Sequence, residues 1–131
     1  MSLHGLSGNL LMATGAIHCT VGLLILRDPL VRTLMEGTLE VTDMNDRYQR
    51  ECAFWFQFGG IAMGLLGGLL RHYCVETKTL PPKWFGWSLT TVSGLGVLIM
   101  PVSGFWLVLG QGIYIIWSNE KDRTIKNSKS N

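Results

Sequence analysis

The sequence predicts an all-α fold, a transmembrane four-helix bundle with a short amphipathic segment at the membrane interface between helices 1 and 2. Only 15% of the 131 residues are charged, whereas soluble domains carry about 25%. The 11 basic and 9 acidic residues all lie in three blocks, 27–51, 71–83 and 120–131. The charge-free stretches around them are long enough to cross a bilayer. They are 1–26, 52–70 and 84–119.

The first two spans follow directly from these stretches. The first covers about 6–26 and ends before Pro29, which cannot continue a helix. The second covers about 52–70 and is closed by Arg71. Both have the length that a hydrocarbon core requires.

The third charge-free stretch is too long for one span. Pro101 and Gly104 lie near its middle and predict a tight turn. The turn divides the stretch into spans of about 84–100 and 103–118, each about 25 Å long and just sufficient to cross. A kinked, re-entrant pair is the alternative for this last third of the chain.

The spans form a single membrane domain, 1–119, followed by a polar tail, 120–131. With four spans, both termini share a side with the 71–83 loop. That side holds seven Lys and Arg residues and the other side holds four. The positive-inside rule therefore predicts cytoplasmic termini, in a membrane that the sequence does not specify. A net charge of +2, with no basic cluster interleaved with aromatics, excludes a nucleic-acid surface.

The segment 27–51 is predicted to be more than a loop. Apolar residues alternate there with charged ones, which is typical of a short amphipathic helix lying on the membrane surface. The apolar residues are Leu30, Val31, Leu34, Met35 and Leu39, and the charged ones between them are Arg32 and Glu36. Asp43 and Asp46 then predict the start of the next helix, because aspartate is a favoured capping residue.

Three polar side chains fall inside the predicted spans. His18 lies about 12 Å from the end of span one. Gln57 and Gln111 reach a similar depth from the same side. Because polar groups inside a membrane are costly, this coincidence predicts a functional cluster at one level of the bundle. The alternative is that these residues only supply hydrogen bonds between helices.

Glu51 is the one carboxylate that borders a charge-free span, with Arg47 one turn before it and Trp55 one turn after. Partial burial at the membrane edge favours a neutral carboxyl, which could donate a proton. The alternative is an ordinary interfacial ion pair between Glu51 and Arg47. Small residues at Gly60, Gly64 and Gly68 predict close helix packing, within this chain or with a neighbouring copy.

Two classes of function fit these residues. The first is a membrane enzyme that cyclises or isomerises a lipophilic small molecule, such as a terpenoid or an epoxide, without a cofactor or metal. In it Glu51 donates a proton and His18 accepts one or polarises the substrate. The substrate would be bound by Trp55, Gln57, Ser103, Trp106 and Gln111. The second class is a non-catalytic homo-oligomer or a small transporter or accessory subunit. A haem or metal protein with His18 as ligand is weaker, since no second histidine lies deep in a span.

Short motifs in three spans resemble those of one family. They are Gly15-Ala16-Ile17-His18, Ala53-Phe54-Trp55-Phe56-Gln57-Phe58-Gly59-Gly60 and Met100-Pro101-Val102-Ser103-Gly104-Phe105-Trp106-Leu107. Together they resemble a family of small four-span membrane proteins of unknown function found in bacteria and fungi, over most of 8–117. The resemblance implies the fold and no particular activity. Four-span epoxide-rearranging enzymes and fungal membrane terpene cyclases offer an architectural analogy without a shared motif.

Overall fold

The computed structural model describes residues 5–37 and 43–130, and this part of the chain is almost entirely helical with no strand. Its five helices are α1 (Leu6–Ile25), α2 (Arg27–Glu36), α3 (Met44–Thr77), α4 (Lys83–Ile99) and α5 (Phe105–Ser130). The all-α prediction is confirmed. The predicted start of α3 is also confirmed, because Asp43 is its N-cap and accepts a hydrogen bond from the Asn45 amide at 2.9 Å.

Helices α1 and α3 pack as an antiparallel pair with their backbones in contact. Glycine makes this approach possible, because a Cβ added at Gly15 would lie 2.7 Å from the Gly60 carbonyl oxygen and 2.8 Å from the Gly64 nitrogen. A Cβ at Gly8 would meet the Arg71 backbone nitrogen at 2.5 Å. Such contacts between small residues are the usual way in which membrane helices associate closely.

Helices α4 and α5 form a second antiparallel pair with the same chemistry. A Cβ at Gly112 would lie 2.8 Å from the Thr90 nitrogen and 3.0 Å from the Gly86 carbonyl oxygen. At the other end of the pair, Gly96 lies against the ring of Phe105. The turn between the two helices carries the predicted Pro101 and Gly104, so the predicted break in the third charge-free stretch is confirmed.

The two pairs meet along α1 and α5. Asn119 on α5 donates a hydrogen bond to the Pro81 carbonyl oxygen at 3.0 Å, and Lys83 forms an ion pair with Glu120, so the end of α5 is fastened to the start of α4. Over the residues that the structure describes, α3 and α4 do not pack against each other although only 78–82 separates them. The helices therefore lie in the spatial order α3, α1, α5, α4.

Helices α1 and α3 are long and apolar enough to cross a membrane. The charge-free part of α3, residues 52–70, measures about 28 Å, close to the hydrocarbon thickness of a bilayer. The side of α3 that faces away from α1 is exposed and apolar. It carries Phe54, Phe58, Ile61, Leu65 and Leu69.

Helix α5 extends further than the predicted fourth span. It continues from the apolar part to Ser130, so that the predicted polar tail, 120–131, is helical as far as the structure describes it. The Lys121 ammonium lies 5.3 Å from the centre of the Trp117 ring, and Thr124 donates to the Glu120 carbonyl oxygen at 3.0 Å. These contacts one turn apart support the helix over the first part of the predicted polar tail.

Alanine at Gly15 tests the α1–α3 contact. The new methyl group would press on two backbone atoms that cannot rotate away, so we expect the free energy of unfolding to fall by about 1–3 kcal/mol. The matched control is Gly64→Ala, since a Cβ there would meet nothing within 4 Å in the described chain. Thermal unfolding in detergent micelles, followed by circular dichroism, measures both, and equal melting temperatures for the two variants would contradict the packing.

Candidate functional site

Gln111 joins the two helix pairs. Its side-chain nitrogen donates to the Thr14 hydroxyl oxygen at 2.5 Å and approaches the Leu10 carbonyl oxygen at 3.4 Å. The residue is only 9% exposed. Its side-chain oxygen is buried and accepts no hydrogen bond from the described residues. The interior between α1 and α5 therefore contains an acceptor without a donor, which is uncommon in folded proteins.

His18 lies on α1 one turn after Thr14 and is half-buried against α3. Its ring stacks on Phe56 with 3.9 Å between ring centres and 12° between planes. Its Nε2 atom lies 3.1 Å from the Phe56 carbonyl oxygen. A carbonyl oxygen only accepts, so Nε2 must carry the hydrogen. In the neutral ring Nδ1 is then a hydrogen-bond and proton acceptor.

Gln57 lies a further turn along the same contact, opposite Gly22. A Cβ on Gly22 would lie 2.7 Å from the Gln57 side-chain oxygen, so this oxygen packs directly on the glycine backbone. The oxygen is buried and has no donor in the part of the chain that the structure describes. The adjacent Cys19 thiol donates a long hydrogen bond, 3.8 Å, to the Gln57 backbone carbonyl. Gln57 is thus part of the packed α1–α3 contact.

The three predicted polar residues lie along one surface of α1, but at different heights along its axis. Thr14, His18 and Gly22 are successive turns of α1, and they contact Gln111, Phe56 and Gln57 respectively. Two turns separate the ends of this row, so the two glutamines lie about 12 Å apart along α1 with His18 between them. The depth of a residue below its helix end does not include the shift of one helix along another, and this shift separates the two glutamines.

Glu51 is placed away from His18. It forms an ion pair with Arg47 at 2.9 Å, and its side chain is 46% exposed. Gly60, which contacts His18, follows Glu51 by two and a half turns. Phe56, which His18 also contacts, follows Glu51 by only five residues. Glu51 therefore lies about 8–13 Å from His18 along the axis of α3 and about 140–180° around it. The structure does not bring the two groups to one substrate atom.

The remaining predicted residues lie near the same end of the molecule as Glu51. Trp55 is exposed and packs edge-on against Phe54 and Phe58. In the α4–α5 turn, the Trp106 indole nitrogen donates to the Pro101 carbonyl oxygen at 2.9 Å. The Ser103 hydroxyl accepts a weak hydrogen bond of 3.4 Å from the Phe105 amide. Each of these contacts is local to its own helix or turn.

Arg50 is a buried cation on α3 that was not among the predicted site residues. Its side chain is 4% exposed. The guanidinium donates to both carboxylates that face it, Asp46 at 2.7 Å and Glu36 at 2.6 Å. It also donates to two carbonyl oxygens at the end of α2, those of Arg32 at 3.2 Å and Gly37 at 2.9 Å. A buried arginine is tolerated when its donors are satisfied in this way.

These hydrogen bonds attach α2 to the first turns of α3. The guanidinium binds the carbonyl end of α2, where the helix dipole favours a cation. The spacing of Asp46 and Arg50, four residues apart on one helix, was a visible signal for an ion pair. Sequence alone did not show that Glu36 and the end of α2 would fold onto it.

Two clefts on the surface lie away from the polar row. One has a volume of about 270 Å³ and is lined by Lys83, Asn119, Glu120, Asp122 and Arg123. Here the Lys83 ammonium lowers the pKa of the Glu120 carboxyl by hydrogen bonding and by its charge. The other, about 560 Å³, is lined by Arg27, Asp28, Val31 and Arg32. Within the described residues, no three His, Cys, Asp or Glu side chains are grouped to hold a metal ion.

The fold and the polar row define a class: a small helical protein with bilayer-length apolar helices and isolated polar groups at its helix contacts. The chain belongs to DUF6463, a family of unknown function, whose model matches residues 2–122. No curated protein and no solved structure matches the chain.

Replacing Arg50 with methionine tests the attachment of α2. The variant keeps an unbranched side chain but removes every hydrogen bond from the guanidinium to α2. The half-exposed ion pair of Arg32 with Asp46, at 2.9 Å, remains and is weak, so we expect α2 to detach more often. Trypsin cleavage after Arg32 should then accelerate by about tenfold or more, because proteolysis follows local opening. The control, Arg47→Met, removes the exposed ion pair with Glu51 and should leave the cleavage rate unchanged. Similar rates for the two variants would contradict the role of Arg50.

Proposed function

We propose that the protein is an integral membrane protein with four spans, α1, α3, α4 and the first part of α5, with both termini in the cytoplasm and α2 at the opposite membrane interface. The observation that carries this proposal is the exposed apolar side of α3, which is about as long as a bilayer is thick and has charges only beyond its ends. In water such a surface would be strongly unfavourable.

The tryptophans support the same orientation. All five are exposed. Trp84, Trp87 and Trp117 lie where α4 begins and the apolar part of α5 ends. Trp55 and Trp106 lie where the charge-free part of α3 and helix α5 begin. Exposed tryptophan at both ends of a helical membrane protein is typical of contact with lipid headgroups. On α2, Val31, Leu34 and Met35 face outward, as an interfacial helix requires.

The topology is tested with single cysteines in a variant whose three native cysteines are replaced by alanine. We expect Gln49→Cys and Ser128→Cys to react with a membrane-impermeant maleimide from opposite sides of sealed vesicles, because three proposed spans, α3, α4 and α5, lie between the two positions. Both sites are exposed. Labelling of both from the same side would overturn the four-span topology.

For the activity, we propose acid–base isomerisation of a lipophilic small molecule, in which Nδ1 of His18 accepts a proton from one substrate atom and, as the imidazolium, returns it to another. The supporting observation is the hydrogen bond from Nε2 to the Phe56 carbonyl, which leaves Nδ1 free to accept a proton in the neutral ring. Gln111 would bind the substrate through its unpaired oxygen. Glu51 takes no part in this step, because it lies across α3 and pairs with Arg47.

Two conservative variants separate this proposal from the alternatives. His18→Gln retains a donor for the Phe56 carbonyl but loses the titratable nitrogen, so we expect turnover to fall by about 10²-fold or more. Glu51→Gln should retain turnover, because its carboxyl is not required. Organic extracts of cells producing each variant, compared by mass spectrometry, measure the loss of the product.

The same extracts also distinguish between the competing functions. Loss of product with Glu51→Gln alone would return the role of proton donor to Glu51. Identical extracts from both variants and from cells lacking the protein would favour the non-catalytic assignment, in which the polar row only joins helices. Detergent extraction and a melting temperature confirm that each variant folds before the comparison is made.

A further inference from the structure

We propose that the end of the molecule at which α3 ends, α4 begins and α5 leaves its apolar part binds the headgroups of anionic phospholipids. The lipids are those of the leaflet that the chain termini face. The inference rests on the four-span topology proposed above and adds the chemistry of the lipid that this end prefers. The partner is a phospholipid with a net negative headgroup, and charge is the property that recognises it.

The two ends of the molecule differ in the sign of their charge. The end with the termini carries seven Lys and Arg residues against three Asp and Glu, a net charge of +4. The other end, segment 27–51, carries four against six, a net charge of −2. An anionic surface is therefore attracted by the first end and repelled by the second. The residues that form the basic end are Arg71, Lys78, Lys83, Lys121, Arg123, Lys126 and Lys129.

Four cations of the basic end form no ion pair with the described residues. They are all exposed, and they are Arg71, Lys78, Lys121 and Arg123. Only Lys83 has a carboxylate partner there, Glu120. At the opposite end, in contrast, three of the four arginines are in ion pairs, namely Arg32, Arg47 and Arg50. The basic end is thus the one whose cations are available to a phosphate group.

Lys121 and Arg123 lie at the height that lipid headgroups would occupy. The Lys121 ammonium is 5.3 Å from the ring centre of Trp117, an exposed tryptophan at the end of the apolar part of α5. Lys121 and Arg123 follow Trp117 by four and six residues. They are therefore about 6 and 9 Å further along the axis, within one Debye length, about 10 Å, at 0.1 M salt. At this distance an anionic leaflet attracts each of them.

The basic residues of α5 form a cluster directly after the proposed last span. All four lie within 121–129, and α5 continues as a helix through them to Ser130. A helix keeps such charges near the membrane, because it advances about 1.5 Å per residue whereas an extended chain advances about 3.3 Å. Four or more Lys and Arg residues immediately beyond a membrane span are typical of segments that bind anionic lipids.

A lipid fits this surface better than a soluble anion does. Tight binding of a soluble phosphate requires several donors that converge on one point. The cleft at the basic end, about 270 Å³, contains the ion pair of Lys83 with Glu120, so a carboxylate already takes the place of such an anion. A lipid needs no enclosed site, since the membrane holds its headgroup beside Lys121 at high local concentration.

Spin-labelled lipids measure this preference. Spin-labelled phosphatidylglycerol, which is anionic, or phosphatidylcholine, which is zwitterionic, is added in trace amount to phosphatidylcholine vesicles containing the protein. Lipids in contact with the protein give a motionally restricted component in the electron paramagnetic resonance spectrum. We expect this component to show at least about a twofold preference for phosphatidylglycerol at 0.1 M salt. The preference should approach one at 1 M salt, because the Debye length falls to about 3 Å.

Charge-neutralising variants assign the preference to one end. Lys121→Gln should lower it, and Lys121→Gln/Arg123→Gln should bring it to within about a quarter of unity, because each cation near the surface contributes separately. The matched control for the single change is Arg27→Gln. It removes an exposed cation that forms no ion pair with the described residues at the opposite end, so the preference should stay unchanged.

The preference observed in each sample decides the proposal. A preference that survives in the double variant, or that is lost in Arg27→Gln instead, would overturn the assignment to the basic end. Loss of the preference with millimolar inorganic phosphate at constant ionic strength would show that a soluble anion is the ligand in place of lipid. If neither labelled lipid shows a motionally restricted component, the protein has no lipid contact, and the membrane proposal itself fails together with this one.

Discussion

The structure depends on backbone contact between α1 and α3. Glycines at Gly8 and Gly15 on one helix, and at Gly60 and Gly67 on the other, leave no room for a Cβ at the contact. Without water as a driving force inside a bilayer, helices associate through such close van der Waals packing. The contact fixes the relative shift of α1 and α3, and that shift determines which side chains meet along the pair.

The polar row follows from this shift. His18 reaches the Phe56 carbonyl only because Gly60 beside it has no side chain. Gln57 is held against Gly22 in the same manner. The second helix pair contributes Gln111, which donates a hydrogen bond to Thr14, one turn of α1 before His18. The result is a line of polar groups within an apolar contact, with His18 at its centre and acceptor oxygens on both sides of it.

Charge has a different role at the end of the molecule where α2 meets α3. Arg50 is buried with two carboxylates and two carbonyl oxygens, so the short helix α2 is attached to α3 through ionic hydrogen bonds. Glu51, its neighbour in sequence, points the other way and remains half-exposed beside Arg47. One step of 100° around a helix therefore separates a buried structural charge from a surface ion pair.

The apolar helices and most of their ends could be predicted from the sequence, because charge-free runs and Pro101 or Asp43 at their ends are local signals that need no partner. Periodicity also identified Gly60 as part of a packing stripe. Which helices pack against each other became clear only from the three-dimensional structure. Helix α1 lies between α3 and α5, whereas α3 and α4 do not touch over the described residues. A helical repeat specifies which residues share a face, but the choice of neighbour and the shift along the axis depend on side-chain fit across the contact. For this reason the polar residues were recognisable from sequence, whereas their spread over two turns and the separation of Glu51 from His18 were not.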